Sequence, residues 1–221
     1  MSKLLQFAKK GIGYLFFDRS YARYYSSEIW DDKYASGYDL GDPKEDCRYG
    51  VLLALIRRYA RDGVVLDAGC GDGLLEEKCR PLGSRMVGID YSALAIAKAR
   101  ERGLQGCEFM CTDYRDFSCQ ETFSLIVFNE ALYYVEDYLQ TLRNFSRLLA
   151  KDGVYIISMF DTKITRRMWK TLSRHFSRVH GTQIRDEESG VAWNVRVLQP
   201  TPEFSGIPKV QSEGPGNGTA G

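Results

Sequence analysis

An acid and a glycine-rich turn follow an early apolar run in this 221-residue chain. The run Val64 to Leu66 ends in Asp67, and three glycines then occupy alternate positions up to Gly73. Glycines at such a turn allow backbone angles that a side chain would forbid, and they let a ligand touch the main chain where a helix begins at Leu74. The stretch therefore predicts a strand, a tight turn and a loop that holds an elongated ligand containing a nucleoside.

Two more acids follow the next predicted strands. Asp90 ends a strand at residues 86–89, somewhat under twenty residues beyond the glycines. Nucleotide-binding folds of this type use an acid there to grip two ribose hydroxyls, since one carboxylate can accept both hydrogen bonds. A simple turn acid is the alternative interpretation of Asp90. Ser92 is predicted to cap the following helix, and Asp113 follows the third strand, residues 108–111.

The pattern Asp-x-Gly-x-Gly-x-Gly resembles the first motif of the class I S-adenosylmethionine (SAM) dependent methyltransferases, whereas a dinucleotide fingerprint has its third glycine one residue later. With Asp90, Asp113 and Asn129 in matching order, the resemblance covers roughly residues 40–198. It implies an α/β, Rossmann-like fold, with a seven-stranded, mostly parallel sheet, helices on both faces and an antiparallel final strand. It also implies SAM as the cofactor.

The resemblance further implies roles for individual residues. In this family the acid at position 113 accepts a hydrogen bond from the adenine amino group, and its aromatic neighbour covers the ring. Arg48 is a candidate for the cofactor's carboxylate, with a solvated surface arginine as the alternative. The predicted cofactor-binding residues are Tyr34, Arg48, Asp67, Gly69, Cys70, Gly71, Asp90, Tyr91, Thr112, Asp113, Tyr114 and Asn129.

The segment after the fourth strand carries the candidate catalytic residues. Asn129-Glu130-Ala131-Leu132-Tyr133-Tyr134 is similar to the Glu-x-x-Tyr-Tyr segment of the rhizobial nodulation N-methyltransferases, which methylate an amino sugar. Because an amine must lose a proton on methylation, we predict Glu130 as the base, followed by Tyr133 and Tyr134, with His175 or His180 behind them. An N-cap of the next helix is an equally good interpretation of Glu130.

The predicted function is methyl transfer from SAM to an amine or hydroxyl of a small, sugar-like or other metabolite. One alternative is a non-catalytic, methyltransferase-like protein that binds SAM as a sensor or partner, and a lesser one is methylation of a protein or of a carrier-bound substrate. The joint presence of Asp67, Asp90, Asp113 and the glycines argues against a protein that binds no cofactor. A nicotinamide-dependent reductase is disfavoured by the early third glycine.

The two ends of the chain differ in composition from its middle. Nine aromatic residues lie between positions 14 and 38. They predict a helical extension over residues 1–41 that packs on the core, forms a lid with Tyr34 or Trp30 on the cofactor, or attaches to a membrane surface. Asp42-Pro43 predicts a helix start and a SAM-binding domain over 42–198. Residues 199–221, rich in proline and glycine, predict a disordered tail.

The composition limits which partners and which cellular location are expected. Thirty basic and twenty-nine acidic residues leave a formal charge of +1, so no nucleic acid partner is expected. Six cysteines without a Cys-x-x-Cys pair favour reduced thiols in a cytoplasmic protein. No metal is predicted, because Cys107 and Cys111 lack a second ligand pair. No apolar run has the length of a transmembrane segment, and a monomer or homodimer is expected.

Residues 162–185 contain no acid and many bases. The bases at helical spacing are Lys163, Arg166, Arg167, Lys170, Arg174 and Arg178. They predict either a solvated helix face or a docking site for a phosphate, an anionic carrier or another acidic partner. An Asp152-Gly153 turn is predicted before the fifth strand, residues 154–159, and a hairpin of strands 179–184 and 191–198 is predicted to close the sheet.

Overall fold

The computed structural model describes residues 26–38 and 45–206, which contain one seven-stranded sheet. The strands are β1 (Val65–Ala68), β2 (Met86–Asp90), β3 (Cys107–Cys111), β4 (Phe123–Asn129), β5 (Leu149–Phe160), β6 (Phe176–Arg185) and β7 (Ala192–Pro200). The helices are α1 (Ser27–Ala35), α2 (Asp46–Tyr59), α3 (Leu74–Cys79), α4 (Ala93–Glu101), α5 (Tyr138–Ser146), α6 (Lys163–Leu172) and α7 (Pro202–Ser205). Short 3₁₀ helices span Arg80–Leu82 and Leu132–Tyr134.

The strand order is β3-β2-β1-β4-β5-β7-β6. Strands β1 to β5 pair in parallel, whereas β7 runs antiparallel between β5 and β6. This arrangement confirms the predicted fold. The order reverses between β1 and β4, and ligands of open α/β sheets bind at the carboxyl ends of the strands beside such a switch point. Asp67, Asp90 and Asn129 all lie at or near those ends.

Successive side chains of each strand point to opposite faces of the sheet and so contribute to two apolar layers. In β1, Val65 belongs to the layer under α2 and α3, where it joins Leu52 and Ile56. Its neighbour Leu66 faces the other layer, which contains Phe145 of α5 and residues of α6. Strands buried on both faces read as continuous apolar runs, which is why β4 was recognisable from sequence.

Side chains cap the helices that follow the carboxyl edge. Ser92 Oγ accepts a hydrogen bond of 3.0 Å from Ala95 N, as predicted. Helix α5 is capped by Asp137, whose Oδ1 accepts from Gln140 N at 3.1 Å. The interpretation of Glu130 as an N-cap is therefore wrong. Glu130 instead has a left-handed backbone with a φ of 57° and precedes the 3₁₀ helix.

Two element boundaries differ from the prediction. Strand β5 begins at Leu149, and Asp152-Gly153 lies inside it, where the β4–β5 register shifts between Phe123 and Leu125. A bulge absorbs the residues that were expected to form a turn. Helix α6 ends at Leu172, so Arg174 is outside the helix and Arg178 lies on β6. The basic residues therefore do not share one helix face.

The folded chain extends beyond residue 198, so the predicted start of the disordered tail at 199 is wrong. Gln199 and Pro200 pair with β6 in the sheet. Thr201 then caps α7, and Phe204 is buried with its ring 4.7 Å from that of Phe176. The packing of this one apolar residue on Phe176 is enough to extend the folded region beyond residue 198. The composition of the segment does not reveal that contact. Residues 207–221 lie outside the described residues.

Other predictions also concern undescribed residues. The aromatic residues before position 26 and the helix start at Asp42-Pro43 fall there. Within the described part of the chain, no helix is both long enough and apolar enough to cross a membrane.

Candidate cofactor and acceptor site

The loop after β1 approaches its neighbours so closely that it requires glycine. Gly69 and Gly71 have φ values of 87° and 57°. A Cβ on Gly69 would lie 2.6 Å from both Ala131 Cβ and Tyr114 Oη. The start of the loop is held because Gly69 N and Cys70 N donate to Ile89 O at 2.8 and 3.0 Å. The main chain is thus fixed at the predicted ligand-binding turn.

An arginine holds the far side of this loop. Arg102 Nε donates to Asp72 O at 2.6 Å, and its Nη2 donates to Asp72 Oδ2 at the same distance. Arg102 also pairs with Glu77 of α3. No local sequence pattern links Arg102 to the loop, so its role could not be predicted from the sequence.

Asp90 joins the glycine loop to the end of β2. Its Oδ2 accepts from Gly71 N at 3.0 Å and its Oδ1 accepts from Ser92 N at 2.9 Å. Burial raises the pKa of Asp90, while these backbone donors oppose that shift. The backbone of Tyr91 is a third donor, so a ribose hydroxyl would share this carboxylate with the main chain.

Two buried acids lie beneath the loop. Asp67 is 1% exposed and Glu76 is fully buried, and both Glu76 oxygens lack a hydrogen-bond partner among the residues described. Burial, and then the charge of Asp90, raises the pKa of Asp67 to about 8. Burial, and then Asp67, raises the pKa of Glu76 well above its usual value. Asp67 is therefore held protonated near neutral pH. No sequence pattern had pointed to Glu76.

The end of β3 contributes the residues predicted to contact adenine. Thr112 N donates to Asp90 O at 2.9 Å, which ties the ends of β2 and β3 together beside Tyr91. The Asp113 carboxylate accepts from Arg115 N and Arg115 Nη2, each at 2.8 Å. Adenine would therefore share Asp113 with Arg115.

Tyr114 lies beside the glycine loop. Its ring packs against Phe128 and Phe145 at centroid distances of 6.0 and 6.3 Å, and its hydroxyl reaches Gly69. Burial, and then Asp90, raises its pKa well above the ordinary value, so the phenol is neutral. The structure thus brings Tyr114 to the loop and leaves its predicted stacking on adenine as a prediction.

Arg48 is buried, so the solvated interpretation is wrong. It is 1% exposed and donates to Asn129 Oδ1 and Glu45 Oε2. Burial alone would lower its pKa, but the charges of Glu130 and Glu45 outweigh that effect and raise it. The guanidinium therefore brings a positive charge beneath the segment that follows β4.

Glu130 is the most highly connected acid of that segment. Its Oε1 accepts from Ser158 Oγ at 2.7 Å, and its Oε2 accepts from Phe160 N and Tyr133 Oη, each at 3.0 Å. Burial raises the pKa of Glu130, while Arg48, Ser158 and Tyr133 oppose that shift. Ser158, fully buried in an apolar strand, was not predicted from the sequence as part of this network.

Helix α1 lies against the same edge of the sheet. Asp31 Oδ1 accepts from Leu94 N at 3.1 Å and from Ser92 Oγ at the start of α4. Lys98 Nζ donates to Tyr34 O at 2.7 Å. Burial, and then the charge of Asp90, raises the pKa of Tyr34, which places its phenol near the predicted ribose site.

The aromatic residues of α1 reach the acceptor segment. The Trp30 ring meets the Tyr134 ring edge-on at 5.1 Å, and the Tyr133 and Tyr134 rings are 4.5 Å apart. Helix α1 therefore bridges α4 and the 3₁₀ helix Leu132–Tyr134. His175 does not join this group, since its ring packs on Phe204, and His180 lies on β6.

Residues 44–190 match the model of a methyltransferase domain family. The chain belongs to this SAM-dependent methyltransferase family. Over 128 residues it is 31% identical to nodulation protein S of Bradyrhizobium diazoefficiens, covering 56% of this chain and 61% of that protein. Over 132 residues it is 27% identical to malonyl-[acyl-carrier protein] O-methyltransferase of Bacillus anthracis, covering 57% of this chain and 49% of that protein. The matched part of the chain thus spans about half to three-fifths of the length of these relatives.

The fold of this methyltransferase also matches a solved structure. The N-methyltransferase NodS from Bradyrhizobium japonicum WM9, in complex with S-adenosyl-L-homocysteine, superposes with a TM-score of 0.67. The match covers 80% of this chain and 99% of NodS at 23% identity, which establishes the shared fold.

The chemistry of the site fits SAM. Position 69 requires glycine, because any side chain there would collide with Tyr114 and Ala131. The main chain at this position is therefore not covered by a side chain. Asp90 is fixed by backbone donors at the end of β2, where an acid can accept from ribose hydroxyls. Neutral phenols at Tyr114 and Tyr133 offer aromatic surfaces that favour a sulfonium charge.

Proposed function

We propose that this chain transfers the methyl group of SAM to an amine or hydroxyl of a small-molecule acceptor. The observation that carries the proposal is the hydrogen bond from Tyr133 Oη to Glu130 Oε2, at the strand end next to the glycine loop. When bound, SAM supplies a methyl group already activated by a positively charged sulfur. The chain then has to orient the acceptor, exclude water and remove one proton.

Tyr133 and Glu130 are suited to that proton transfer. Tyr133 Oη accepts the proton that the acceptor nitrogen or oxygen releases, and the original hydroxyl proton moves to Glu130 Oε2. The raised pKa of buried Glu130 favours holding this proton. Charge would balance, because the sulfur of bound SAM would lose its positive charge when its bond to the methyl group breaks, while the carboxylate takes up the proton that the acceptor exchanges for the methyl group.

The other residues bind and orient. Gly69, Gly71 and Asp90 hold the nucleoside, with Asp113 at the adenine end. Helix α1 covers the edge of the site through Tyr34 and Trp30, which limits access of water. Ser158 and Phe160 N fix the Glu130 carboxylate on β5, so the base does not depend on a loop for its position.

The names of similar proteins support both acceptor classes. NodS is an N-methyltransferase, and the malonyl-[acyl-carrier protein] relative is an O-methyltransferase. The proton pathway through Tyr133 serves either an amine or a hydroxyl. We favour the amine, because a neutral amine attacks carbon before it loses its proton and therefore demands only a modest base.

The test is a search for the methylated product. The purified protein is incubated with methyl-labelled SAM and fractionated small-molecule extract, and labelled products are identified by mass. A labelled small amine or hydroxyl compound formed only with active protein supports the proposal. Label found only on protein, or SAM binding without any labelled product across the fractions, contradicts it and favours the carrier or sensor alternatives.

A further inference from the structure

A second concave region lies apart from the glycine loop, between α6 and the β6–β7 hairpin. This cleft, of about 650 Å³, is lined by Lys170 of α6, Arg185 of β6 and Arg196 of β7, among others. Its volume is within the range of sites that hold small molecules. Asp161, the residue after β5, lies at its edge.

The cleft has more cations than acids. Asp161 accepts two hydrogen bonds from Arg166, at 2.8 and 2.7 Å, so these two lining residues neutralise each other. Within residues 26–38 and 45–206, no carboxylate forms an ion pair with Lys170, Arg185 or Arg196. The lining thus has four basic residues, Arg166, Lys170, Arg185 and Arg196, against the single acid Asp161.

Trp169 lines the cleft with its indole ring. The residue is 3% exposed, and its Nε1 atom is buried and meets no acceptor among the described residues. A ligand in the open cleft would therefore meet the ring and not the N–H.

Arg196 lies over the same indole. Its guanidinium carbon is 4.3 Å from the Trp169 ring centroid. Burial, and then the like charge of Arg178, lowers the pKa of Arg196. An anion beside the guanidinium would offset both effects, and the stacked position leaves its planar N–H groups suited to a tetrahedral oxyanion.

We propose that this cleft binds the phosphate group of a small phosphomonoester. Lys170, Arg185 and Arg196 together match a dianion with several acceptor oxygens better than they match a single carboxylate. The cleft is larger than one phosphate, which leaves room for the organic part of the ligand. This site does not depend on the proposed methyl transfer.

Titration calorimetry at constant ionic strength tests the proposal. The probes are inorganic phosphate and glucose 6-phosphate, with chloride and glucose as blanks. Both phosphates should bind saturably, and the ester should bind at least several-fold more tightly because it also fills the cleft. Equal affinity would make this a site for free phosphate and overturn the ester assignment.

The variants separate the cleft from general surface charge. Arg196→Gln and Lys170→Gln should each weaken phosphate binding by about tenfold or more. Arg167→Gln is the matched control, since Arg167 is exposed on the same helix and does not line the cleft. Lys170 is exposed, so its variant keeps the fold. No saturable heat, or equal losses in Lys170→Gln and Arg167→Gln, would overturn the site.

Discussion

The Tyr133 hydroxyl lies 3.0 Å from Glu130 Oε2 and donates a hydrogen bond to it. Glu130 also accepts hydrogen bonds from Ser158 Oγ and Phe160 N, so strand β5 fixes the carboxylate. A neutral phenol and a buried carboxylate thus form one unit at the carboxyl edge of the sheet. This unit is the feature on which the proposed proton transfer depends.

Removing the Tyr133 hydroxyl should slow the reaction without weakening cofactor binding. Tyr133→Phe breaks the contact with Glu130, and loss of general acid–base catalysis is expected to lower kcat by about a hundredfold. Steady-state rates with the identified acceptor measure the effect. Tyr59→Phe, at the last residue of α2, is the matched comparison and should retain most of the activity. A Tyr133→Phe enzyme with normal kcat would exclude the proton pathway.

The buried acids beneath the loop predict a pH dependence of stability. Below about pH 4, Asp67 is protonated in both the folded and unfolded states. Between about pH 4 and about pH 8, Asp67 has lost its proton in the unfolded chain but retains it in the folded protein. The free energy of unfolding therefore falls as pH rises through this range. Urea midpoints at pH 5 and pH 8 measure this slope.

Asp67→Asn provides the control for this dependence, because its neutral amide has nearly the same shape. The variant should show a shallower fall in stability between pH 5 and pH 8 than the unaltered protein. The same slope in both proteins would mean that Asp67 is ionised in the folded state.

The C-terminal helix predicts a sharp boundary for truncation. Ending the chain after Leu198 removes Pro200 of β7 and the buried Phe204, whereas ending it after Gly206 keeps both. The shorter protein should lose about 3 kcal/mol or more of stability, as expected for loss of a buried phenylalanine. Thermal melting compares the two. Equal melting temperatures would show that α7 contributes nothing to the fold.

The sequence predicted the features that are encoded locally. The order of strands with their terminal acids and the Ser92 cap could be recognised, because apolar runs, glycines and caps are short-range patterns. The contacts of Asp31 with α4 and of Phe204 with Phe176 join residues far apart in the chain. Such pairs depend on tertiary packing, so one sequence could not specify them.

The same limit applies within the candidate site. The sequence placed Glu130 at a strand end but could not show that Ser158 and Phe160 would occupy its oxygens. Those contacts follow from the parallel register, which sets Asn129 opposite Ser158. The burial of Arg48 likewise depends on how α2 packs under β4, and the helix pattern alone permitted either a buried or an exposed arginine.

Helix α1 should respond to the cofactor. Because Asp31 and Lys98 dock it on α4 and Tyr34 lies near Asp90, bound S-adenosylhomocysteine should slow amide exchange across Ser27–Ala35. Amides of residues 154–159, already buried in β5, should change little and serve as the internal control. Unchanged exchange in α1 at saturating ligand would mean that this helix is not a lid.

The most direct test of the account is calorimetric titration with S-adenosylhomocysteine. The protein should bind it with micromolar affinity, and Asp90→Ala should weaken binding by roughly ten- to hundredfold, the equivalent of about 1.5 to 3 kcal/mol for a charge-assisted hydrogen bond. Asp116→Ala, at an exposed acid on the same side of the sheet, is the control and should bind normally. Melting curves should show a modest loss of stability for Asp90→Ala, since Gly71 N and Ser92 N lose their acceptor. Heat from NADH with none from S-adenosylhomocysteine, or equal affinity in the folded Asp90→Ala protein, would contradict the assignment of this site.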